Sequence, residues 1–70
     1  MRLLRLKVDR LHDYQSVQRI RTSLFNLRGI HYVRITHDLG HVLIDYMENA
    51  LSPKVILDHL ATSGFKVCLY

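Results

Sequence analysis

The chain is poor in the residues on which most site chemistry depends. Among its 70 residues there is one cysteine, one proline and three glycines, and no tryptophan. A lone cysteine, Cys68, excludes an internal disulfide and any site that needs a pair of thiolates from this chain. Three widely spaced glycines exclude a glycine-rich phosphate loop. No serine or cysteine sits in a recognisable nucleophile motif. The six carboxylates include no pair that the fold expected below would place in a cleft, and so short a chain has little room for an enclosed pocket. An enzyme is therefore not expected. No apolar run approaches the roughly 20 residues of a membrane span. Met1-Arg2-Leu3-Leu4-Arg5-Leu6 is too short an apolar stretch, and is interrupted by Arg5, to act as a signal peptide. The expected location is the cytoplasm, as a free protein or as the soluble part of a membrane transporter.

What is present describes one small globular domain, residues 1–70. Hydrophobic residues make up 49% of the chain, charged residues 23%, and the mean hydropathy is +0.02. Such a chain folds around one thin core. The formal charge is +4 and the pI about 9.6, which permits acidic partners. The basic residues are spread along the chain and form no basic tail.

Periodicity gives six elements in the order strand, helix, strand, strand, helix, strand. Leu4, Leu6 and Val8 alternate with Arg5 and Lys7, the pattern of a strand with one buried face. Ser16 is expected to cap the first helix, with Asp13 close to its positive end. Val17, Ile20, Leu24 and Leu27 then recur at helical spacing, and Gly29 is expected to end the helix. Val33 and Ile35 face inward on the next strand, with Tyr32 and Arg34 outward. His37-Asp38-Leu39-Gly40-His41 is a turn signal, followed by an inward set Val42, Ile44, Tyr46. Ser52-Pro53 opens the second helix, whose inner face is Ile56 and Leu60 with Val55 or His59. Ser63-Gly64 stops it. Phe65, Val67 and Leu69 suit a last short strand, with Cys68 facing away from the helices. The βαββαβ order implies an α+β, ferredoxin-like fold: a four-stranded antiparallel sheet with two helices on one face. The His12–Ser16 loop, the His37–His41 turn and Ser63-Gly64-Phe65 are then expected at one end.

Three separate stretches carry a resemblance. They are Val8-Asp9-Arg10-Leu11-His12, Leu27-Arg28-Gly29-Ile30 with Val33, and Gly40–Tyr46 followed by Ser52-Pro53, Ile56, Leu60 and Gly64-Phe65. In order and spacing they resemble the heavy-metal-associated domains of copper chaperones and metal-pumping ATPases, across nearly the whole chain. That family binds a soft ion, usually Cu(I), through two thiolates in C-x-x-C, since soft ions prefer soft donors. The matching positions here are Asp13 and Ser16, both hard oxygen donors, and Arg10 stands where a glycine is usual. The resemblance thus implies the scaffold without the sulfur pair. Cu(I) is not an expected cargo of this loop. The expected role is a non-catalytic docking or regulatory module in metal handling. Its partner would be a protein, such as a metal-transport ATPase or another domain of the same chain. Arg10, His12, Asp13, Tyr14 and Gln15 are the expected interface.

Two other readings use different residues. Five histidines are many for this length. His12, His37 and His41 are expected at the loop end, where with Asp13 and Asp38 they would suit zinc, nickel or cobalt. His31 reads as an exposed strand residue and His59 as a boundary residue of the second helix. The sheet face without helices would carry Arg5, Lys7, Tyr32 and Arg34, beside Leu43, Asp45 and Met47. Basic groups among tyrosines can bind RNA, but the central strand lacks the required aromatics and Asp45 repels phosphate. A protein contact or homodimer is the better expectation for that face, and nucleic acid is not an expected partner.

Overall fold

Alternation of apolar and charged residues becomes a sheet with one greasy side. The computed structural model describes residues 1–9, 11, 13–36 and 40–69. Its elements are β1 (Arg2–Val8), α1 (Tyr14–Phe25), β2 (Ile30–Thr36), β3 (His41–Tyr46), α2 (Pro53–Thr62) and β4 (Val67–Leu69). The sheet order is β2-β3-β1-β4, and every neighbouring pair is antiparallel. β1 and β2 therefore run parallel with β3 between them, and α1 crosses over that pair; α2 crosses likewise from β3 to β4. This is the ferredoxin-like βαββαβ plan.

Both helices lie on one face. Leu4 lies opposite Ile44 and Leu6 opposite Val42, and Val33 lies opposite Ile44. These side chains join Ile20 and Leu24 of α1 and Ile56 and Leu60 of α2 in one buried cluster. Among the described residues no polar or charged residue is buried as a whole, and the buried side-chain nitrogen left without a partner among them is Arg21 Nε, a desolvation cost at the edge of the core. Packing rather than intrinsic helix propensity holds two helices this short.

The caps differ from expectation at α1. Ser16 is not the N-cap. Asp13 is, with an extended backbone at φ −117°, ψ 165° and its carboxylate accepting from the Ser16 amide at 2.7 Å. Aspartate and serine cap equally well. Tyr14 and Gln15 tolerate helix, so the helix extends back to the earlier cap and leaves Ser16 inside its first turn. Gly29 does not end the helix either. The C-cap is Asn26, and Gly29 at φ +107° turns the chain into β2, where a Cβ would approach Ala50 Cβ to 2.9 Å. At α2 the expectations hold. Ser52 Oγ accepts from the Val55 amide at 3.3 Å, with Pro53 in the first turn. Beyond the Ser63 cap, Gly64 N–H donates to Ala61 O at 3.0 Å and Phe65 N–H to Leu60 O at 3.1 Å. That paired closure is a Schellman motif, and Gly64 supplies the positive φ of 94° it requires.

Smaller corrections concern edges. His31 is the extra residue of a bulge, because Ile30 lies opposite Tyr46 and Tyr32 opposite Asp45. Val55 is exposed, not inward. Phe65 precedes β4 and is half-buried. Leu69 pairs with Leu6 yet remains 62% exposed, because it stands at the margin of the sheet.

Candidate functional site

The loop after β1 is anchored at its start by two backbone bonds. Val8 N–H donates to Gly40 O at 2.8 Å and Asp9 N–H to Lys66 O at 3.0 Å. These bonds gather the end of β1, the start of β3 and the approach to β4 at one end of the domain, as strand order requires. Gly40 permits the close approach: its φ is +69°, and a Cβ there would stand 2.8 Å from Val8 O. Leu11 is buried and pins the middle of the loop into the core. Asp13 closes it as the cap of α1. Tyr14 and Gln15, the next two residues, are exposed, and Tyr14 is 73% accessible. Arg10 and His12 lie outside the described residues.

Beside this loop is a recess of about 300 Å³ lined by Asp9, Ser16, Arg19, Gly64, Phe65 and Lys66. Arg19 holds its far wall. The guanidinium lies 5.1 Å from the Phe65 ring centroid, a cation–π distance, and its Nη2 donates to Ser63 O at 3.3 Å. The recess thus has two cations, Arg19 and Lys66, against one acid, Asp9.

Behind Arg19 a polar seam ties the helices. Ser63 Oγ donates to His59 O at 3.0 Å, which leaves Ser23 as the donor in the 2.9 Å Ser23–Ser63 hydroxyl pair. His59 Nε2 lies 2.9 Å from Ser23 O. A carbonyl only accepts, so Nε2 carries the proton. Nothing in the apolar periodicity announced Ser23, Ser63 or the contact of Arg19 with Phe65. The available signal was the four-residue spacing of His59 and Ser63, which places both on one helix face.

The histidines separate. His41 is the first residue of β3 rather than part of a turn. It lies opposite Lys7 and Thr36, on the face of the exposed Lys7 and away from the helices. The Lys7 ammonium one strand away opposes a cation there. His37 lies outside the described residues, so His12 and His37 have no stated distance to His41. Among the described residues no three His, Cys, Asp or Glu groups stand close enough to hold a metal ion. The expected open face is present: Arg5, Lys7, Tyr32 and Arg34 are all exposed, and Leu43 and Asp45 are half-buried between them. Cys68 is exposed on the same face, opposite Lys7.

The arrangement was compared with known proteins. No family model matches the chain, and no curated protein matches it. Solved structures do. A copper binding domain from a P-type ATPase superposes with a TM-score of 0.93 at 14% identity, over 100% of this chain and 95% of that one. The CopZ metallochaperone gives 0.89 at 16% identity, over 96% of this chain and 100% of that one. Oxidized MerP from Ralstonia metallidurans CH34 gives 0.89 at 12% identity, covering 97% and 94%. At such identities the likeness shows a shared fold, across the full length of small metal-handling domains. No helix among the described residues is long and apolar enough to cross a membrane.

Proposed function

We propose that this chain is a heavy-metal-associated-like module of a metal-transport system that docks to protein partners through its loop end and performs no catalysis. The observation that carries the reading is the state of the loop. Asp13, which stands where the first thiolate would, is the N-cap of α1, with its carboxylate 2.7 Å from the Ser16 amide. The loop is therefore shaped by its own hydrogen bond, with a hard donor set that does not fit a soft monovalent ion. Cys68, the single thiol of the chain, lies on β4 facing the open side of the sheet. Tyr14 and Gln15 remain outward on a capped helix start, in the same helix as Arg19. A positive surface of this kind raises encounter rates with an acidic partner more than it deepens affinity.

The supporting comparisons are the ATPase domain and the metallochaperone that share the fold. The test is a heteronuclear NMR titration of the chain with the soluble domain of a metal-transport ATPase. Amide shifts centred on Asp13, Tyr14 and Gln15, lost on Tyr14→Ala, support docking at the loop end. Shifts elsewhere, or none at millimolar partner, contradict it. A zinc titration in the same tube addresses His12, His37 and His41. Their imidazole resonances stay in place under this reading, and stoichiometric shifts at micromolar zinc replace it with a divalent-ion site.

A further inference from the structure

The open face of the sheet has a charge pattern that the docking loop does not account for. Pairing places Arg34, Leu43 and Arg5 in one row across β2, β3 and β1. The next row holds Thr36, His41 and Lys7. Rows on one face are about 7 Å apart and neighbouring strands about 4.8 Å apart, so Arg5, Lys7 and Arg34 stand around the half-buried Leu43 at about 7–12 Å from one another. Arg5, His41 and Leu43 frame a shallow recess of about 90 Å³. One acid, Asp45, stands a row away between Tyr32 and Leu3. Among the described residues the ion pair present joins the amino terminus to Glu48 at 3.6 Å, so Arg5, Lys7 and Arg34 have no acidic partner among those residues.

We infer that this face binds an acidic protein segment that seats an apolar side chain on Leu43 between the guanidinia of Arg5 and Arg34. Three kinds of occupant compete, and charge and shape decide among them. A second copy would bring two basic faces together, since the chain is +4 overall, and like charges resist that approach. A single nucleic-acid strand needs aromatic platforms in the middle of the face. Here the centre is aliphatic Leu43, the described aromatic is Tyr32 on the edge strand, and Asp45 opposes phosphate. An acidic polypeptide meets all three conditions: carboxylates match the cations, guanidinium forks suit them geometrically, and an apolar residue covers Leu43. The spacing of Arg5 and Lys7 along β1 also equals that of alternate residues in an extended peptide. This surface lies on the side of the sheet opposite the helices, so its occupancy is independent of the loop-end reading.

The test uses a probe peptide with four glutamates on each side of a central leucine, its lysine counterpart, and an oligouridylate of similar length. Each is titrated at about 20 mM salt, where screening is weak, while amide shifts are followed by NMR. The acidic peptide should move Arg5, Lys7, Arg34 and Leu43, and the shifts should fade as salt rises. Arg5→Glu with Arg34→Glu should weaken binding by about tenfold or more, with spectral dispersion confirming the fold. Arg28→Glu, in the turn before β2, should leave it unchanged. No open-face shift at about 1 mM acidic peptide, at that same low salt, overturns the inference. So does equal binding of the lysine peptide, tighter binding of the oligouridylate, or concentration-dependent shifts that reveal self-association of this face.

Discussion

On β1, Leu4, Leu6 and Val8 are buried while Arg5 and Lys7 between them are exposed. The helix-covered face of the sheet and the open face are thus built from alternate letters of the same strands, yet they answer to different constraints. The covered face tolerates little. Its side chains touch one another and the two helices in a single cluster, and a chain of this length has about 3–5 kcal/mol of core stability in hand. The open face carries exposed cations, and replacing an exposed side chain away from caps and core usually changes stability by no more than about 0.5 kcal/mol. What the contrast teaches is that architecture and binding are separable here. The first is set by the buried letters, and the second is free to change in the exposed ones.

Substitutions on the two faces can break or sharpen that contrast. The largest effect is expected from Leu60→Ala, a fully buried α2 residue. Loss of about 2–5 kcal/mol would consume most of the stability, and urea denaturation at 25 °C should find much of the chain unfolded. Gly40→Ala comes next. It meets a positive φ and a carbonyl at 2.8 Å, whereas Gly64→Ala meets a positive φ alone with nothing within 4 Å. Gly64→Ala should cost about 1–2 kcal/mol, and Gly40→Ala clearly more, read as the difference in urea midpoints. A reversed order would mean that the Val8–Gly40 contact is not tight. Asp13→Ala should cost about 0.5–2 kcal/mol through the lost cap, with amide exchange accelerating at Ser16 and Val17. The smallest effect belongs to the open face. Arg5→Ala and Arg34→Ala should each stay within about 0.5 kcal/mol in stability. A larger loss would show that this face is part of the core after all.

Much of the fold was legible because burial follows alternation. Leu4, Leu6, Val8, Val42, Ile44 and Tyr46 are buried as their period-2 pattern requires. Ser52-Pro53 and Ser63-Gly64 bound α2 because their cap chemistry is local and unambiguous. The start of α1 was less so. Asp13 and Ser16 are both good caps, three residues apart, and only tertiary placement of the helix chooses between them. Gly29 misled for a related reason. A positive-φ glycine marks a turn, and the structure uses it at the entry to β2 rather than at the helix end. His41 followed strand pairing instead of turn composition, and so faces Lys7 on the sheet. The seam of Ser23, His59 and Ser63 was invisible to apolar periodicity, since it depends on side chains from two helices that are distant in sequence.

The account rests most heavily on the loop between β1 and α1 keeping its shape without a soft-ion site. The most direct test is competition for Cu(I) against a chromophoric chelator under reducing, anaerobic conditions. The native chain should leave the chelator's copper complex intact, and the variant carrying Asp13→Cys with Ser16→Cys should strip it at one ion per chain. Stoichiometric capture of Cu(I) by the native chain as a monomer, retained in Cys68→Ser, would contradict the account.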